Sequence, residues 1–365
     1  MTPSGGLTTP ERGAAGRPQD QPDDDVPAAA AAALLQQATA FQLSQAIWVA
    51  AKLSVADHLR DGPMTVEKLA VLTGSAPAPL HRLLRALAAF RIFRQTEPGT
   101  FALAPQGACL RSDADGSIRD LVLLFGGENF WQTWGALLHC VRTGETAFPQ
   151  LFGMRNSFEY YARNPAESER MNHAMTAGSL AIAPAVIAAC DFSAARLIAD
   201  VGGGHGCLIA GILKANAGLR GILFDFAGVV AGAAELLGEA GVADRCDIIA
   251  GDMLASVPAD CDIYLMSRVI NIFDDAQAVA VLKNCRAAMA ADAKLIVLER
   301  VLPEIAEPTS SIQSKVMSDL TMLVRTGGRE RTANEFHDLL TQASLRVIRI
   351  ASTAAPVSVI EAVRA

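Results

Sequence analysis

A glycine-rich turn between two acidic residues is the strongest chemical signal in the sequence. Asp200 ends a short apolar stretch and is followed at once by glycines at alternate positions: Gly202, Gly204 and Gly206. Glycines in such a pattern permit a tight turn and allow a ligand to approach the backbone closely. Asp225 ends the next apolar stretch, about 20 positions after the first glycine, where an acidic residue holds ribose hydroxyls in nucleotide sites.

The spacing of the glycines indicates which kind of ligand the turn binds. It is G-x-G-x-G rather than G-x-G-x-x-G, and no P-loop lysine follows, so we expect an adenosyl ligand without a pyrophosphate. Asp252 can accept a hydrogen bond from an adenine amino group, Met253 can pack on the ring, and Ser267 ends a further strand. Any one of these aspartates is more simply explained as a helix cap, but the whole series favours a cofactor site.

The elements that must position these residues alternate in type. From about residue 195, short apolar segments are separated by helical stretches, a pattern typical of a parallel, doubly wound sheet in an α/β fold. The predicted parallel strands cover residues 197–200, 222–225, 247–250, 262–266 and 295–299. Residues 346–352 and 357–363 are joined by too short a link for a parallel crossover, so we expect them to form an antiparallel pair. We assign residues 191–365 to this Rossmann-like domain.

The chain before this domain divides into three predicted segments. Residues 1–30 are rich in proline and aspartate and are predicted to be a disordered tail. Residues 31–110 contain three helical stretches and a hairpin around Pro98-Gly99, the pattern of a winged helix. Residues 111–190 are predicted to be a helical connector that contributes to a substrate pocket. The winged helix carries few basic residues, so dimerisation or substrate covering is favoured over DNA binding.

Composition excludes several classes of protein. With 365 residues, 51% of them hydrophobic and 19% charged, the chain is not globally disordered. No apolar run approaches the roughly 20 residues that span a bilayer, and the net charge of -7 disfavours nucleic acid as a partner. Seven scattered cysteines without a C-x-x-C pair indicate reduced thiols in a cytoplasmic protein, and no residue set has the spacing of a metal site.

Residues from about 35 to 365 resemble the class I S-adenosylmethionine-dependent O-methyltransferases of small molecules that carry a winged-helix dimerisation domain. The matching stretches are Leu80-His81-Arg82-Leu83-Leu84-Arg85-Ala86-Leu87, Asp200 to Gly206, Leu223-Phe224-Asp225, Gly251-Asp252, Leu298-Glu299 and Gly327-Gly328-Arg329-Glu330-Arg331-Thr332. The resemblance implies S-adenosylmethionine as cofactor, an obligate homodimer, and contact of Met175 and Ser179 with the methionyl part of the cofactor. It also implies O-methylation of a hydroxylated aromatic or polyketide metabolite.

One position departs from the family pattern. The family motif valine-leucine-histidine-aspartate-tryptophan supplies a histidine base, but Asn271 stands at that place. The two acids that usually flank this histidine in the family are present as Glu299 and Glu330. An amide cannot take a proton, which leaves several explanations open. Transfer can proceed without a base, or one of the two glutamates can be the base. Alternatively the acceptor is a nitrogen or carbon, or the protein binds the cofactor as a hydroxylase, decarboxylase or cyclase.

The acceptor pocket is predicted to be apolar and aromatic. Its candidate residues lie in the stretches that usually form its wall in the family, although each is equally well explained as helix core. They are Trp131, Trp134, Phe148, Phe158, Met171, Met175, Asp319 and Met322. We expect Asn271, Glu299 and Glu330 to face the acceptor, and no metal to take part.

Overall fold

The computed structural model describes residues 25–365, so most of the predicted tail, residues 1–24, lies outside the described residues. The described part of a first unit, residues 25–45, contains helix α1 (Asp25–Ala38) and the start of α2 (Ala40–Lys52). Helix α1 begins before residue 30, so the predicted tail boundary is wrong for residues 25–30. Residues 28–33 are all alanine, the residue with the highest helix propensity, which explains the early start.

Residues 46–365 form a second compact unit, and its first part has the predicted helices and hairpin. Helices α3 (Val55–His58), α4 (Val66–Thr73) and α5 (Pro77–Ala89) accompany a three-stranded sheet of order β1-β3-β2. Its strands are β1 (Met64–Thr65), β2 (Phe93–Glu97) and β3 (Thr100–Leu103). Thr65 caps α4, because its hydroxyl accepts a hydrogen bond from Lys68 N at 3.4 Å at the start of this helix.

The connector is helical, as predicted. Helix α6 (Pro105–Ala108) still belongs to the preceding segment. The connector contains α7 (Arg119–Phe125), α8 (Glu128–Gly135), α9 (Leu137–Thr143), α10 (Ala147–Phe152), α11 (Ser157–Arg163) and α12 (Pro165–Ala189). Asn156 caps α11 by accepting hydrogen bonds from two backbone N–H groups of its first turn. Helix α12 runs for 25 residues and carries Met175 and Ser179 toward the large sheet.

The large sheet has seven strands in the order β11-β12-β8-β7-β4-β5-β6. The five strands from β8 to the β6 edge are parallel, and β11 and β12 form the predicted antiparallel end. The strands are β4 (Leu197–Val201), β5 (Arg220–Asp225), β6 (Cys246–Ala250), β7 (Ile263–Ser267), β8 (Lys294–Glu299), β11 (Leu345–Ser352) and β12 (Ser358–Arg364). A separate parallel pair joins β9 (Val301–Leu302) to β10 (Arg331–Thr332).

Helices cover both faces of this sheet, which confirms the predicted doubly wound α/β fold. They include α13 (Cys207–Ala215), α14 (Ala227–Val230), α15 (Ala233–Glu239), α16 (Asp275–Ala288) and α18 (Ala333–Gln342), while α17 (Ser310–Arg325) packs against connector helices. One core packs α16 and α18 around Tyr264, and the other packs α12 and α13 around Ile198. Six of the seven cysteines are buried free thiols. Among residues 25–365, no helix is both long and apolar enough to cross a membrane.

Candidate active site

The glycine turn leaves β4 and leads into α13. Gly202, Gly204 and Gly206 have φ values of +75°, +63° and +84°, in the left-handed region that glycine adopts without strain. A Cβ at Gly202 would lie 2.6 Å from Val269, and one at Gly203 would lie 2.6 Å from the Asp200 carboxyl carbon. Larger residues at these positions would be strained or would clash, so the turn requires glycine.

Asp225 holds the turn from the neighbouring strand. Its Oδ2 accepts a hydrogen bond from Gly204 N at 2.9 Å, and its Oδ1 accepts one from Phe226 N at 2.7 Å. Burial raises the pKa of this carboxyl above its usual value, while the two N–H groups act in the opposite direction. The second lone pair of each oxygen remains available to a ligand hydroxyl at the same edge of the sheet.

Polar atoms without partners surround this turn. Asp200 is fully buried, and neither of its carboxylate oxygens has a hydrogen-bond partner within residues 25–365. Burial, together with the charge of Asp225, raises the pKa of Asp200 to about 7. Ser267 Oγ and Arg268 Nε are likewise buried without a partner in the described part of the chain. Since each unpaired buried group costs about 1–3 kcal/mol, this arrangement fits a bound polar ligand.

Arg268, to which the sequence analysis gave no role, links the end of β7 to helix α12. Its Nη2 donates hydrogen bonds to Ser179 Oγ at 2.7 Å and to the Met175 carbonyl at 3.4 Å. The structure therefore brings Met175 and Ser179 to the end of β7, at the same edge of the sheet as the glycine turn. Burial lowers the pKa of the Arg268 guanidinium. The sequence did contain a signal for Arg268, since it is a basic residue directly after a strand that ends at this edge.

Asp252 and Met253, the remaining predicted contacts of the adenosyl ligand, differ in their surroundings. Asp252 is exposed, and its Oδ1 accepts a hydrogen bond from Leu254 N at 2.9 Å, the local contact expected of a capping residue. The Met253 side chain is buried beneath the turn, and its Cε would lie 3.2 Å from a Cβ at Gly202. We refer to Asp200, residues 202–206, Asp225, Ser267 and Arg268 as the glycine-turn cluster.

A second group of polar side chains, the carboxylate cluster, consists of Asn271, Glu299 and Glu330. Glu299 Oε1 accepts hydrogen bonds from the backbone N–H groups of Ile270 and Asn271, at 2.8 and 3.2 Å. Asn271 Nδ2 donates a hydrogen bond to Glu330 Oε1 at 3.1 Å. All three side chains are buried, and the predicted association of Asn271 with the two glutamates is therefore observed.

Neighbouring segments hold the carboxylate cluster in place. The Ser318 hydroxyl of α17 donates to Glu330 Oε1 at 2.7 Å, and Asp319 Oδ1 accepts from Glu330 N at 2.8 Å. Arg331 is almost fully buried and donates to the carbonyls of Ile270 and Phe273, which flank Asn271. The sequence analysis assigned no role to Ser318 or Arg331, because nothing in their local pattern shows what they contact.

The electrostatics of the carboxylate cluster favour protonation. Burial raises the pKa of Glu299 to about 8, with a further contribution from the charge of Glu330. Burial also raises the pKa of Glu330, while the Ser318 hydrogen bond and the Arg300 guanidinium, 3.7 Å away, oppose that rise. Because the two carboxyls lie close together in a buried site, they resist being ionised at the same time.

The residues predicted to form the acceptor wall fall into several environments. Phe148 is fully buried, with a tilted ring contact to Phe152 and an edge-on contact to Tyr160. Trp134 packs against two small hydrophobic clusters, so both residues contribute to the helical core. Trp131 and Phe158 are 41% and 40% exposed. Met171 and Met175 pack beside Phe130, and Met322 accepts a hydrogen bond from Thr326. Asp319 alone in this set has a recorded hydrogen bond to the carboxylate cluster.

Arg325 explains the buried aromatic residues of the connector. Its guanidinium lies 3.6 Å from the centre of the Phe130 ring and donates to Thr133 Oγ1 at 3.1 Å and to the Tyr161 hydroxyl at 2.7 Å. These contacts attach the end of α17 to helices α8 and α11. The aromatic residues thus enclose a cation of the chain itself, a packing role that the sequence did not reveal.

A doubly wound sheet with a glycine turn, a following acid and partnerless polar atoms at its carboxyl edge defines a nucleotide-type cofactor site. The chain matches the model of the O-methyltransferase domain over residues 134–346 and that of the O-methyltransferase dimerisation domain over residues 35–113. The chain therefore belongs to the O-methyltransferase family, and it is an S-adenosylmethionine-dependent methyltransferase.

Three known proteins illustrate this relationship. The phenazine O-methyltransferase PhzM of Lysobacter antibioticus is 40% identical over 90% of this chain and 95% of its own. The phenazine-1-carboxylate N-methyltransferase of Pseudomonas aeruginosa is 36% identical over 91% and 97%. The S-adenosylhomocysteine-bound structure of CalO1, a methyltransferase of calicheamicin biosynthesis, superposes with a TM-score of 0.79, at 34% identity and with coverage of 93% and 99%.

Proposed function

We propose that the protein transfers a methyl group from S-adenosylmethionine to a hydroxyl oxygen of an aromatic or polyketide-type secondary metabolite, and that it works as a homodimer. The observation that carries this proposal is the pair of polar clusters at the carboxyl edge of the large sheet. Both contain buried polar atoms without partners among the described residues, as expected of sites that bind two polar ligands.

The glycine-turn cluster has a suitable group for each part of the cofactor. Asp225 accepts from the ribose hydroxyls, and Asp252 accepts from the adenine amino group. Arg268, with Met175 and Ser179 beside it, pairs with the methionyl carboxylate. Asp200 is fully buried behind the turn. Its carboxyl group disfavours further negative charge in the site. The bound cofactor supplies a methyl group on a positively charged sulfonium.

The carboxylate cluster receives the proton that the acceptor hydroxyl loses. Asn271 cannot do this, because a neutral amide does not take a proton in the physiological pH range. Glu299 is suited to the task because its pKa of about 8 is closer than that of an ordinary glutamate to the value of about 10 of a phenol. Glu330 supports it by holding the Asn271 side chain.

A second candidate acceptor is an aromatic nitrogen. A nitrogen with a free lone pair needs no base, so the replacement of the family histidine by Asn271 is compatible with N-methylation. The relative from Pseudomonas aeruginosa is named as an N-methyltransferase.

The deciding experiment incubates the protein with methyl-labelled S-adenosylmethionine and paired aromatic acceptors that differ only in a hydroxyl or a ring nitrogen. We expect label in the hydroxylated members, with one S-adenosylhomocysteine released for each methyl transferred. Label in the ring-nitrogen members alone would replace the first candidate by the second. Cofactor that binds without any label moving across both sets would contradict both.

A further inference from the structure

Glu330 fixes the direction of the Asn271 carboxamide. Asn271 Nδ2 and the Ser318 hydroxyl both donate to Glu330 Oε1, at 3.1 and 2.7 Å. Because Glu330 Oε1 accepts both bonds, the side-chain nitrogen of Asn271 faces it. The side-chain oxygen of Asn271 is therefore turned away from Glu330. That oxygen, Oδ1, is buried and has no donor among residues 25–365.

The same cluster contains two more acceptors without donors. Glu299 uses only Oε1 and Glu330 uses only Oε1, so the Oε2 atom of each is buried without a partner in the part of the chain that the structure describes. Arg300 Nη1 lies 3.7 Å from Glu330 Oε1, beyond hydrogen-bond distance. The buried Arg331 directs its N–H groups at backbone carbonyls and at Asp275. Even with a proton on one of the two carboxyls, and with Arg300 Nε also buried without a partner among the described residues, the cluster has an excess of hydrogen-bond acceptors over donors, and the excess lies on three adjacent side chains.

An acceptor molecule with a single hydroxyl would leave part of this excess unsatisfied. Each buried acceptor without a donor costs about 1–3 kcal/mol, so a ligand that supplies several donors gains affinity here. An anionic substituent in the same place would instead be repelled by the two carboxyl groups. The cluster therefore favours a ligand that is neutral where it contacts these side chains and that carries more than one N–H or O–H group there.

We propose that the acceptor is an aromatic ring with two neighbouring donors, a hydroxyl beside a second hydroxyl or an amino group, and that Asn271 Oδ1 binds one donor while the Glu299–Glu330 pair binds the other. This inference rests on the proposed methyl transfer to oxygen. It adds the class of acceptor and the substituent that is methylated.

The two donors have different fates. The hydroxyl at the carboxyl pair transfers its proton to Glu299 Oε2 as its oxygen forms a bond to the methyl carbon. The bond from that carbon to sulfur breaks, and its electron pair stays on sulfur, which becomes a neutral thioether. The donor at Asn271 keeps its hydrogen, because the amide oxygen cannot take it. The product is a methyl ether next to an unmodified hydroxyl or amino group.

The test measures the binding of four matched rings to the protein saturated with S-adenosylhomocysteine. The rings are 2,3-dihydroxynaphthalene, 3-amino-2-naphthol, 2-naphthol and 3-methoxy-2-naphthol. We expect the first two to bind about tenfold to a hundredfold more tightly than the last two, the effect of one donor supplied to a buried acceptor. Incubation with S-adenosylmethionine should then yield only the monomethyl ether of each two-donor ring.

Two variants assign the preference to Asn271. Asn271→Leu keeps the approximate volume but removes Oδ1, so we expect the preference for two-donor rings to fall below about threefold while S-adenosylhomocysteine binds as before. Glu330→Gln lets the carboxamide of Asn271 turn and should reduce the preference partly. Asn334→Ala is the matched control, because the Asn334 amide donates to Glu304 on the surface and its loss should leave the preference intact.

The outcomes separate this inference from the proposed function. Equal binding of one-donor and two-donor rings, or binding of none of the four, overturns the inference. So does a preference that survives in Asn271→Leu. Methylation of 2-naphthol at the rate of 2,3-dihydroxynaphthalene would leave the proposed O-methyl transfer standing while removing the two-donor acceptor. A protein that binds no S-adenosylmethionine would instead contradict the proposed function.

Discussion

The glycine-turn cluster and the carboxylate cluster lie at one edge of the large sheet but differ in how the chain holds the acids proposed to contact the ligands. In the first, both oxygens of Asp225 are held by backbone N–H groups of the turn and of its own strand end. In the second, Asn271, Glu299 and Glu330 each keep one side-chain oxygen without a donor among the described residues. Local backbone geometry therefore holds both oxygens of Asp225, whereas each member of the carboxylate cluster keeps an oxygen free for its ligand. Substitutions in one cluster therefore test whether the two clusters act independently.

The largest effect is expected from Asp225→Ala. The substitution removes the acceptor of Gly204 N–H and the proposed ribose contact, so S-adenosylmethionine should bind about 100- to 1000-fold more weakly, as two charge-assisted hydrogen bonds are lost. Calorimetry measures this directly. Asp247→Ala is the control, since Asp247 lies on the adjacent strand with 65% of its side chain exposed. Unchanged affinity in Asp225→Ala would refute the assignment of the glycine-turn cluster.

Arg331→Met should disturb the carboxylate cluster alone. The buried guanidinium holds the carbonyls of Ile270 and Phe273, so its loss should lower the free energy of unfolding by about 2–4 kcal/mol and slow methyl transfer about 30-fold. The affinity for S-adenosylmethionine should change little. Thermal unfolding and kcat check this, with Arg329→Met, at an exposed position, as control. A large loss of cofactor affinity would show that the two clusters are not independent.

The raised pKa of Glu299 predicts a pH dependence of stability. Because the folded protein keeps this proton up to a pKa of about 8 and the unfolded chain loses it near 4.5, the stability that it contributes is present below 4.5 and lost as pH rises to about 8. We expect the ligand-free protein to lose about 1 kcal/mol per pH unit across this window. Glu299→Gln should reduce the slope, part of which remains because the pKa of Asp200 is raised to about 7, and it should remove the rise of methyl transfer with pH, whereas Glu304→Gln should do neither. A wild-type stability that does not fall across this window would contradict the protonated state.

The smallest effect is expected from Asn271→His. An imidazole can take a proton from a weakly acidic phenol, so we expect kcat/KM for such an acceptor at pH 7 to rise by about tenfold. This is less than the usual rate gain from a general base, because Glu299 already accepts a proton. Cofactor affinity should not change. Steady-state kinetics with phenols of graded acidity would show the largest gain for the least acidic. No change with any acceptor would mean that Asn271 does not face it.

Local patterns predicted more of the glycine-turn cluster than of the carboxylate cluster. The turn, the strand before it and Asp225 are signalled by residue types over a short stretch, because positive φ values require glycine and strand ends require a change from apolar to polar residues. Glu299 and Glu330 entered the analysis only through a resemblance. The hydrogen bond between Asn271 and Glu330 joins residues 59 positions apart, which no local pattern can indicate.

The connector shows the limit of composition as a guide to function. Its aromatic residues suggested a pocket wall, yet Phe148 is fully buried and Phe130 packs under the Arg325 guanidinium. Sequence periodicity shows that a helix has an apolar face, but it does not show whether that face meets a ligand or another helix. The tertiary contacts of α17 decide this, because they bring Arg325 to residues more than 160 positions away.

The sequence by itself determined the order of strands and helices along the chain, the antiparallel end of the sheet and the glycine turn. Each of these depends on propensities and spacing within a short stretch of chain, whereas the replacement of a basic side chain by Asn271 was visible only through the family resemblance. Only the tertiary structure decided that Arg268 reaches Ser179, that Ser318 and Arg331 hold the carboxylate cluster, and that the Asn271 oxygen is left without a donor. These depend on which distant groups share a buried volume, because burial determines both the cost of an unpaired atom and the pKa of a carboxyl group.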